Sequence, residues 1–231
     1  MNQAVKLIPP LDPQPYPQGV AAPSRPRPAA DSPKSLRTRA RILESAMRLF
    51  VEIGYAAATN ARIAEAAGLT RGAMLYHFPD RDSLIEAVAP YIHAARTRLL
   101  QAADDAAPPG VDRIDYAIDS YWRLLREPAF VAFAELEAAA RTDAALRERL
   151  APAASAFDRA EIGDHLFELV QGAEGPRFQA SRDLARFMLE GMARAQVTYD
   201  KDERVERLLT VIKRATHMLN RKGGVTDLWP E

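Results

Sequence analysis

The residues best suited to specific chemistry lie in one segment, from Thr59 to Phe78. Its small and apolar residues recur where two short helices would face each other, and they are Ile63, Ala64, Ala67, Leu69 and Met74. Gly68 can adopt the left-handed conformation that a tight turn between the helices needs. An outer face is left over, formed by Arg71, Gly72, Ala73, Tyr76 and His77. This pattern predicts a helix-turn-helix, whose second helix enters the major groove of DNA.

Four predicted helices position this outer face. The first begins at Ser32, a capping residue, and Pro33, whose missing N–H costs nothing there. Its apolar residues recur at helical spacing until Gly54 ends it, and they are Ile42, Ala46, Leu49, Phe50 and Ile53. The caps of the next three helices are Thr59, Thr70 and Asp80. Pro90 lies inside the fourth helix and removes one hydrogen bond, so we expect a kink or a break there.

The rest of the chain also has the pattern of helices, with boundaries at proline and glycine. The predicted spans are about 112–126, 129–140, 143–150, 153–171, 177–198 and 202–221. The 43 alanines outnumber the 30 valines, isoleucines and threonines together, which favours helices over strands. The predicted fold class is therefore all-α. Residues 1–32 are rich in proline and arginine and lack periodicity, which predicts a disordered arm.

Composition and charge exclude several classes of protein. The chain has no cysteine among 231 residues, so it has no disulfide framework, thiolate metal site or cysteine nucleophile. It contains no apolar run long enough to span a membrane and no secretory signal, which predicts a soluble cytoplasmic protein. The net charge is zero, but residues 1–98 carry 13 basic and 8 acidic side chains, whereas residues 99–231 carry 18 and 23. We expect the basic half to face nucleic acid.

No cofactor and no metal site are predicted. His93, His165 and His217 lie far from the helix-turn-helix segment, and structural roles are expected for them. His165 has three acidic neighbours at helical spacing, which are Glu161, Asp164 and Glu168. Carboxylate-rich helix faces are usually solvated, so this group is expected to be a surface feature.

The text RARILESAMRLFVEIGYAAATNARIAEAAGLTRGAMLYHFPDRDSLIEAV resembles the tetracycline-repressor-like (TetR) family of transcriptional regulators. The specific pieces are LF followed by GY, then IAEAAGLTRGA, then HFPDRDSL, in that order and spacing. One departure concerns the phosphate contact: many members carry tyrosine where this chain has Leu75, and its aromatic residue is Tyr76.

The resemblance implies a set of DNA contacts. Thr59 and Asn60 would donate to phosphates at the start of the second helix, and Thr70 would cap the third and touch phosphate as well. Arg71 would bond guanine, with the alternative that it is a solvated surface charge.

The remaining contacts surround Arg71. Gly72 and Ala73 would allow close approach to the groove, and Tyr76 and His77 would share the phosphate contact. Arg81 would bind a flanking phosphate. The alternative for Tyr76 is a half-buried packing residue, and the alternative for Arg81 is again a solvated surface charge.

The resemblance also divides the chain. Residues 33–80 would form the DNA-binding domain, 81–222 a helical domain for ligand binding and dimerisation, and 223–231 a tail.

The resemblance further implies a homodimer, whose interface would be formed by two apolar seams at helical spacing. They are Leu184, Met188, Gly191 and Ala195, then Val205, Leu208, Ile212, Ala215 and Leu219. The alternative is that both seams pack on the chain's own core. A dimer would bind a palindromic operator in double-stranded DNA.

A pocket for an apolar or amphipathic small-molecule effector is the second expectation from the resemblance. Aromatic residues are concentrated in the middle helices, and the predicted lining is Trp122, Phe133, Phe157 and Met188. The alternative for each of these residues is an ordinary core position.

Three classes of function follow. The first is a homodimeric repressor that its effector releases from DNA. The second is an architectural DNA-binding dimer that recruits a protein partner without an effector. The third, a helical enzyme, is disfavoured because the sequence contains no nucleophile elbow, phosphate loop or HExxH motif.

Overall fold

The computed structural model describes residues 32–158, 176–195 and 202–220, and over these ranges the chain forms nine α-helices and no strand. In chain order they are α1 (Pro33–Ala57), α2 (Asn60–Ala66), α3 (Arg71–His77), α4 (Arg81–Asp105), α5 (Arg113–Leu124), α6 (Pro128–Ala140), α7 (Ala144–Asp158), α8 (Pro176–Ala195) and α9 (Asp202–Asn220). The predicted all-α class is confirmed. Within these ranges, no helix is both long and apolar enough to cross a membrane. The predicted arm, the tail and the acidic group around His165 lie outside the described residues.

Polar side chains begin the first four helices at the predicted positions. Each accepts a hydrogen bond from the backbone N–H three residues later: Ser32 at 3.2 Å, Thr59 at 3.4 Å, Thr70 at 3.2 Å and Asp80 at 2.7 Å. The backbone N–H of Asp80 also donates to the Ser83 hydroxyl at 3.3 Å, which completes a capping box. Each cap satisfies an N–H that would otherwise lack a partner, which stabilises the helix by about 1 kcal/mol.

The end of α1 differs from the prediction. Gly54 adopts φ +76° and ψ 163°, which breaks the helical path, but one more turn follows and α1 ends at Ala57. Ile53, predicted to face inward, is 39% exposed. The fully buried residues of α1 stop at Phe50, and beyond it Val51 and Tyr55 are only partly buried against the apolar interior.

Two prolines lie inside continuous helices. We expected Pro90 to kink or break its helix and Pro152 to separate two helices. No break is found at either proline, since α4 runs from Arg81 to Asp105 and α7 from Ala144 to Asp158. An interior proline costs a helix about 3 kcal/mol. Both rings are exposed, whereas the opposite faces of α4 and α7 are buried against the core. Packing therefore offsets the lost hydrogen bonds.

Two hydrophobic clusters, the first core and the second core, hold the helices together. The first core joins α1, α2 and α3 to the N-terminal half of α4 and to α6 and α7. The second core joins the C-terminal end of α4 to α5, α8 and α9. Two helices contribute to both: α4 through Leu84 and Leu100, and α6 through Leu136 and Phe130. Because α4 and α6 pack in both cores, a displacement of either helix in one core also moves its residues in the other.

Candidate nucleic-acid interface

The two short helices α2 and α3 pack around a tight turn, as the sequence predicted. Gly68 has a φ of +62°, and the N–H of Leu69 donates to the Ala64 carbonyl at 2.8 Å, which closes the turn. The side chains of Ile63 and Met74 are almost fully buried in the first core. The angle between the helices is therefore fixed by a hydrogen bond and by apolar packing on their inner sides.

The outer face of α3 is open to solvent. Arg71, Gly72 and Tyr76 are exposed, and the Tyr76 side chain is 51% exposed, which disfavours the half-buried packing role. Leu75, which the outer-face prediction did not include, is also 39% exposed. The face thus offers a guanidinium, a phenol and an apolar group beside a glycine that keeps the backbone accessible. Ala73 is half-buried at the edge of this face.

His77 lies half-buried at the end of α3. Its backbone carbonyl accepts a hydrogen bond from Arg39 at 3.0 Å, and its ring meets the Tyr76 ring edge-on at 5.0 Å. Burial, and then the nearby Arg39 guanidinium, lower the pKa of His77 below its usual range. The imidazole is therefore neutral at pH 7, so any phosphate contact that it makes is a hydrogen bond rather than an ion pair.

Arg39 and Arg81 hold the helix-turn-helix together from both sides. Arg81 donates to the backbone carbonyls of Ala58 at 2.7 Å and Tyr55 at 3.0 Å, and its guanidinium lies 4.4 Å from the centre of the Tyr55 ring. Arg39 lies over the Phe78 ring at 4.4 Å. The sequence interpretation missed these structural roles. The predicted phosphate contact of Arg81 gains no support, since carbonyls of its own chain already engage its guanidinium.

The other predicted phosphate contacts lie at helix starts. The Thr59 and Thr70 oxygens accept the capping bonds, which leaves each hydroxyl proton free to donate outward, and both residues are exposed. Asn60 is half-buried at the first position of α2. For all nine predicted DNA-binding residues the DNA contact itself stays a prediction.

A cavity of about 390 Å³ lies between α4, α6 and α8. Of the predicted lining residues, Phe133 borders it, but Trp122 and Met188 do not. Trp122 is instead buried in the second core, with the Arg126 guanidinium 4.4 Å from its ring centre, and Met188 packs at the edge of that core. The Phe157 side chain lies outside the described residues.

Charged groups, which the search for aromatic residues missed, line one side of this cavity. Arg96 is 4% exposed and lies over the rings of Phe130 at 4.9 Å and Phe133 at 4.3 Å. Burial raises the pKa of Glu137, and Arg96 opposes that rise. A signal existed in the sequence, because Arg96 continues the buried face of α4 four residues after Ile92 and four before Leu100.

The Glu190 carboxylate holds the same region together. It accepts hydrogen bonds from the Tyr121 hydroxyl at 2.8 Å and from Arg186 at 2.9 Å. Burial, and then the neighbouring Glu190 carboxylate, raise the pKa of Tyr121 well above its usual range. The phenol therefore stays protonated and acts as a donor.

An apolar face of α8 and α9 remains open to solvent in the single chain. Its large exposed residues are Leu184, Phe187, Val211 and Met218. Leu184 and the exposed Gly191 belong to the predicted seams, while Met188, Ala195, Val205, Leu208, Ala215 and Leu219 are half-buried. Ile212 was assigned to the dimer interface, but it is 1% exposed in the second core. The outer residue of α9 is its neighbour Val211, because Ile212 lies on the side that packs against α5 and α8.

Known proteins match this chain most strongly across the helix-turn-helix. The model of bacterial regulatory proteins of the tetR family matches residues 42–88, from α1 into α4. The transcriptional regulator TtgR of Pseudomonas putida is 40% identical over 79 residues, which cover 33% of this chain and only 38% of that protein. The transcriptional repressor Rv1474c of Mycobacterium tuberculosis is 35% identical over 125 residues, or 49% of this chain and 67% of that protein.

A solved structure extends the likeness to the rest of the fold. The multidrug binding protein EbrR, complexed with imidazole, superimposes with a TM-score of 0.56 over 81% of this chain and 97% of its own, at 20% identity. TtgR and Rv1474c are named as transcriptional regulators and not as enzymes. The packed turn between α2 and α3, the family match across it, and the similarity over two thirds of Rv1474c show that this chain belongs to the TetR family.

Proposed function

We propose that this chain is a sequence-specific DNA-binding transcriptional regulator that inserts α3 into the major groove. The observation that carries the proposal is the α2–α3 unit, which buries its inner side and leaves Arg71, Gly72 and Tyr76 exposed. Arg71 reads guanine, and the hydroxyls of Thr59 and Thr70 donate to phosphates. The 13 basic against 8 acidic side chains of residues 1–98 attract the DNA backbone.

The regulator binds DNA as a homodimer through the exposed apolar face of α8 and α9. Four large apolar side chains, Leu184, Phe187, Val211 and Met218, are left uncovered on these two helices. A two-fold axis through this face makes the two α3 helices equivalent. The operator is therefore palindromic, with half-sites about 34 Å or a multiple of that distance apart.

A small apolar or amphipathic molecule releases the dimer from DNA by entering the cavity of about 390 Å³. Phe130 and Phe133 offer apolar contacts there, and Arg96 and Glu137 offer partners for a polar group. Arg96 lies on α4, whose other end packs against α1 in the first core. The molecule favours repressor release only to the extent that it binds the released conformation more tightly.

DNA binding is tested on the DNA upstream of the chain's own gene, in a salt series. We expect specific binding whose affinity falls steeply as the salt concentration rises. Arg71→Ala should lose about 1–3 kcal/mol of discrimination at one guanine position, with little change on random DNA. The matched control is Arg123→Ala, which removes an exposed arginine from α5. A uniform loss of affinity on all sequences would contradict the base contact.

The dimer is tested by sedimentation velocity. Phe187→Glu or Val211→Glu should shift the protein towards the monomer, because each places a charge on the exposed apolar face. Leu36→Glu is the control, since Leu36 is an exposed leucine at the start of α1. An unchanged dimer in both α8 and α9 variants would place the interface elsewhere.

Effector binding is tested by thermal shift with apolar and amphipathic compounds. Ala134 lines the cavity, so Ala134→Trp should fill it and abolish any stabilisation seen with the wild-type chain. Stabilisation that persists in this variant would place the effector in another part of the chain. If no compound stabilises the wild-type chain, the architectural alternative is favoured.

A further inference from the structure

A cluster of possible metal ligands lies where the start of α5 meets α9, and it shares no residue with the α3 face or the cavity. The Nε2 atom of His217 lies 3.0 Å from the Asp115 Oδ1 atom and 3.4 Å from the Asp112 Oδ1 atom. His217 is 102 residues from Asp115 in the sequence. Three side chains of the types that ligate metals are therefore brought together by the packing of two helices.

The spacing of these atoms suits a tetrahedral ion. The three ligand atoms all lie within 4.8 Å of one another. Zinc binds imidazole nitrogen and carboxylate oxygen at about 2.0–2.1 Å, which places neighbouring tetrahedral ligands about 3.3 Å apart. The two distances from His217, 3.0 and 3.4 Å, lie on either side of that value.

The charges also favour a dication. One turn later on α5 and one turn earlier on α9, Asp119 pairs with Lys213 at 2.7 Å, so that carboxylate has its own cation. Asp112 and Asp115, in contrast, both face the single imidazole of His217. Even a protonated imidazole would neutralise only one of the two carboxylates. A divalent ion bound by two carboxylates and a neutral imidazole leaves no net charge.

Two further features prepare the cluster for binding. The Oδ1 atom of Asp112 accepts a hydrogen bond from the backbone N–H of Asp115 at 3.0 Å, which fixes the orientation of its carboxylate. The His217, Asp112 and Asp115 side chains are partly exposed, so an ion can enter and water can occupy the fourth position.

We propose that Asp112, Asp115 and His217 form a binding site for a divalent transition-metal ion of the zinc class. Imidazole with carboxylates favours Zn²⁺ over Mg²⁺, which prefers an octahedral shell of oxygen ligands. The bound ion cross-links the start of α5 to α9, whose outer side carries Val211 and Met218. This proposal does not depend on DNA binding or on the effector.

The test is calorimetric titration of the full chain with ZnCl₂ at neutral pH. We expect the wild-type chain to bind Zn²⁺ at one ion per chain and to bind MgCl₂ at least about tenfold more weakly. Asp112→Asn, Asp115→Asn and His217→Gln should each weaken Zn²⁺ binding by at least about tenfold. Asp119→Asn is the matched control: it changes the neighbouring pair of the same two helices and should bind Zn²⁺ as the wild type does.

The same variants must be shown to fold. Asparagine caps helices as well as aspartate does, so Asp112→Asn keeps the start of α5, and circular dichroism in EDTA checks each variant. With Co²⁺ in place of Zn²⁺, the wild-type chain should show the visible absorption of a tetrahedral site, and His217→Gln should lose it. Undiminished Zn²⁺ binding by His217→Gln would assign the ion to other residues, among them the other three histidines. If the wild-type chain bound Zn²⁺ no more tightly than Mg²⁺, the cluster would be an ion pair only. Either result overturns the proposal.

Discussion

The two cores of the molecule treat charged groups differently. In the first core, the arginines Arg39 and Arg81 lie at the edge and donate to backbone carbonyls, while the interior is apolar. Where the two cores meet, in contrast, Arg96 is buried over Phe130 of the second core and Phe133 of the first. The buried Tyr121 of the second core donates to the Glu190 carboxylate nearby. Apolar packing favours one arrangement, whereas buried polar groups can exchange partners with a ligand. The difference is consistent with the proposed function, in which a DNA-binding unit is joined to a region that binds a small molecule.

The shared helices connect the two regions physically. The N-terminal half of α4 supplies Leu84 and Val88 to the first core, and the same helix carries Arg96 to the cavity. Any change of partner at Arg96 must therefore be accommodated by α4. Under the proposed function, we expect the closely packed first core to pass such a change on as movement of the whole helix-turn-helix rather than as distortion within it.

The largest effect expected from this comparison is on the first core. Phe50→Ala should lower the free energy of unfolding by about 3–5 kcal/mol, because Phe50 is fully buried. Phe130→Ala should cost less, since Phe130 belongs to the second core and borders an existing cavity. Urea denaturation measures both, with Leu36→Ala as an exposed control. Equal losses for Phe50 and Phe130 would mean that the two cores are packed alike.

Arg81→Lys tests whether the edge of the first core depends on guanidinium geometry. A lysine cannot reproduce the two hydrogen bonds to Tyr55 and Ala58, so the free energy of unfolding should fall by about 2–3 kcal/mol. A phosphate contact, in contrast, would survive this substitution, because lysine also binds phosphate. Unchanged stability and unchanged DNA binding for Arg81→Lys, together with weaker DNA binding for Arg81→Ala, would restore the phosphate contact first predicted for Arg81.

Tyr121→Phe tests the buried polar groups beside the second core. Removing the hydroxyl deletes its 2.8 Å bond to Glu190, but Arg186 still holds that carboxylate. The free energy of unfolding should therefore fall by about 1.5 kcal/mol, at the low end for a bond to a charged group. Tyr116→Phe is the control, since the Tyr116 hydroxyl donates to a neutral backbone carbonyl, that of Ala103. A larger loss for the control would contradict the importance of the charged acceptor.

Local signals explain most of what the sequence predicted. The caps at Ser32, Thr59, Thr70 and Asp80 and the turn at Gly68 depend on a few neighbouring residues, and all five are found as expected. The continuity of α4 and α7 through prolines could not be predicted in the same way. This continuity depends on packing against helices that are distant in the sequence. The position of a proline predicts only the local loss of a helical hydrogen bond.

The candidate DNA-binding site and the apolar face of α8 and α9 also divide into features set by local sequence and features set by long-range packing. The outer face of α3 follows from helical spacing, so its exposed residues were predictable. The choice between Val211 and Ile212 was not, because adjacent residues on α9 face different neighbours and only the packing of α5 and α8 distinguishes them. The hydrogen bonds of Arg81 reach residues 23 and 26 positions away, beyond any local pattern.

The smallest expected effect concerns two histidines, one at each end of the first core. The pKa values of His77 and His93 are both lowered, by burial first and then by Arg39 and Arg96 respectively. The unfolded chain therefore takes up these protons near pH 6.5, before the folded chain does, so stability is fully present above that pH and declines as the pH falls below it. His77→Gln and His93→Gln should each flatten the decline in the free energy of unfolding, measured in urea, between about pH 7 and pH 5.

His93 also lines the groove between α4 and α7, together with Glu86 and Arg149. In the wild type, acid should therefore weaken the packing of α4 against α7. A pH profile unchanged in both variants would show that neither imidazole resists protonation in the folded chain.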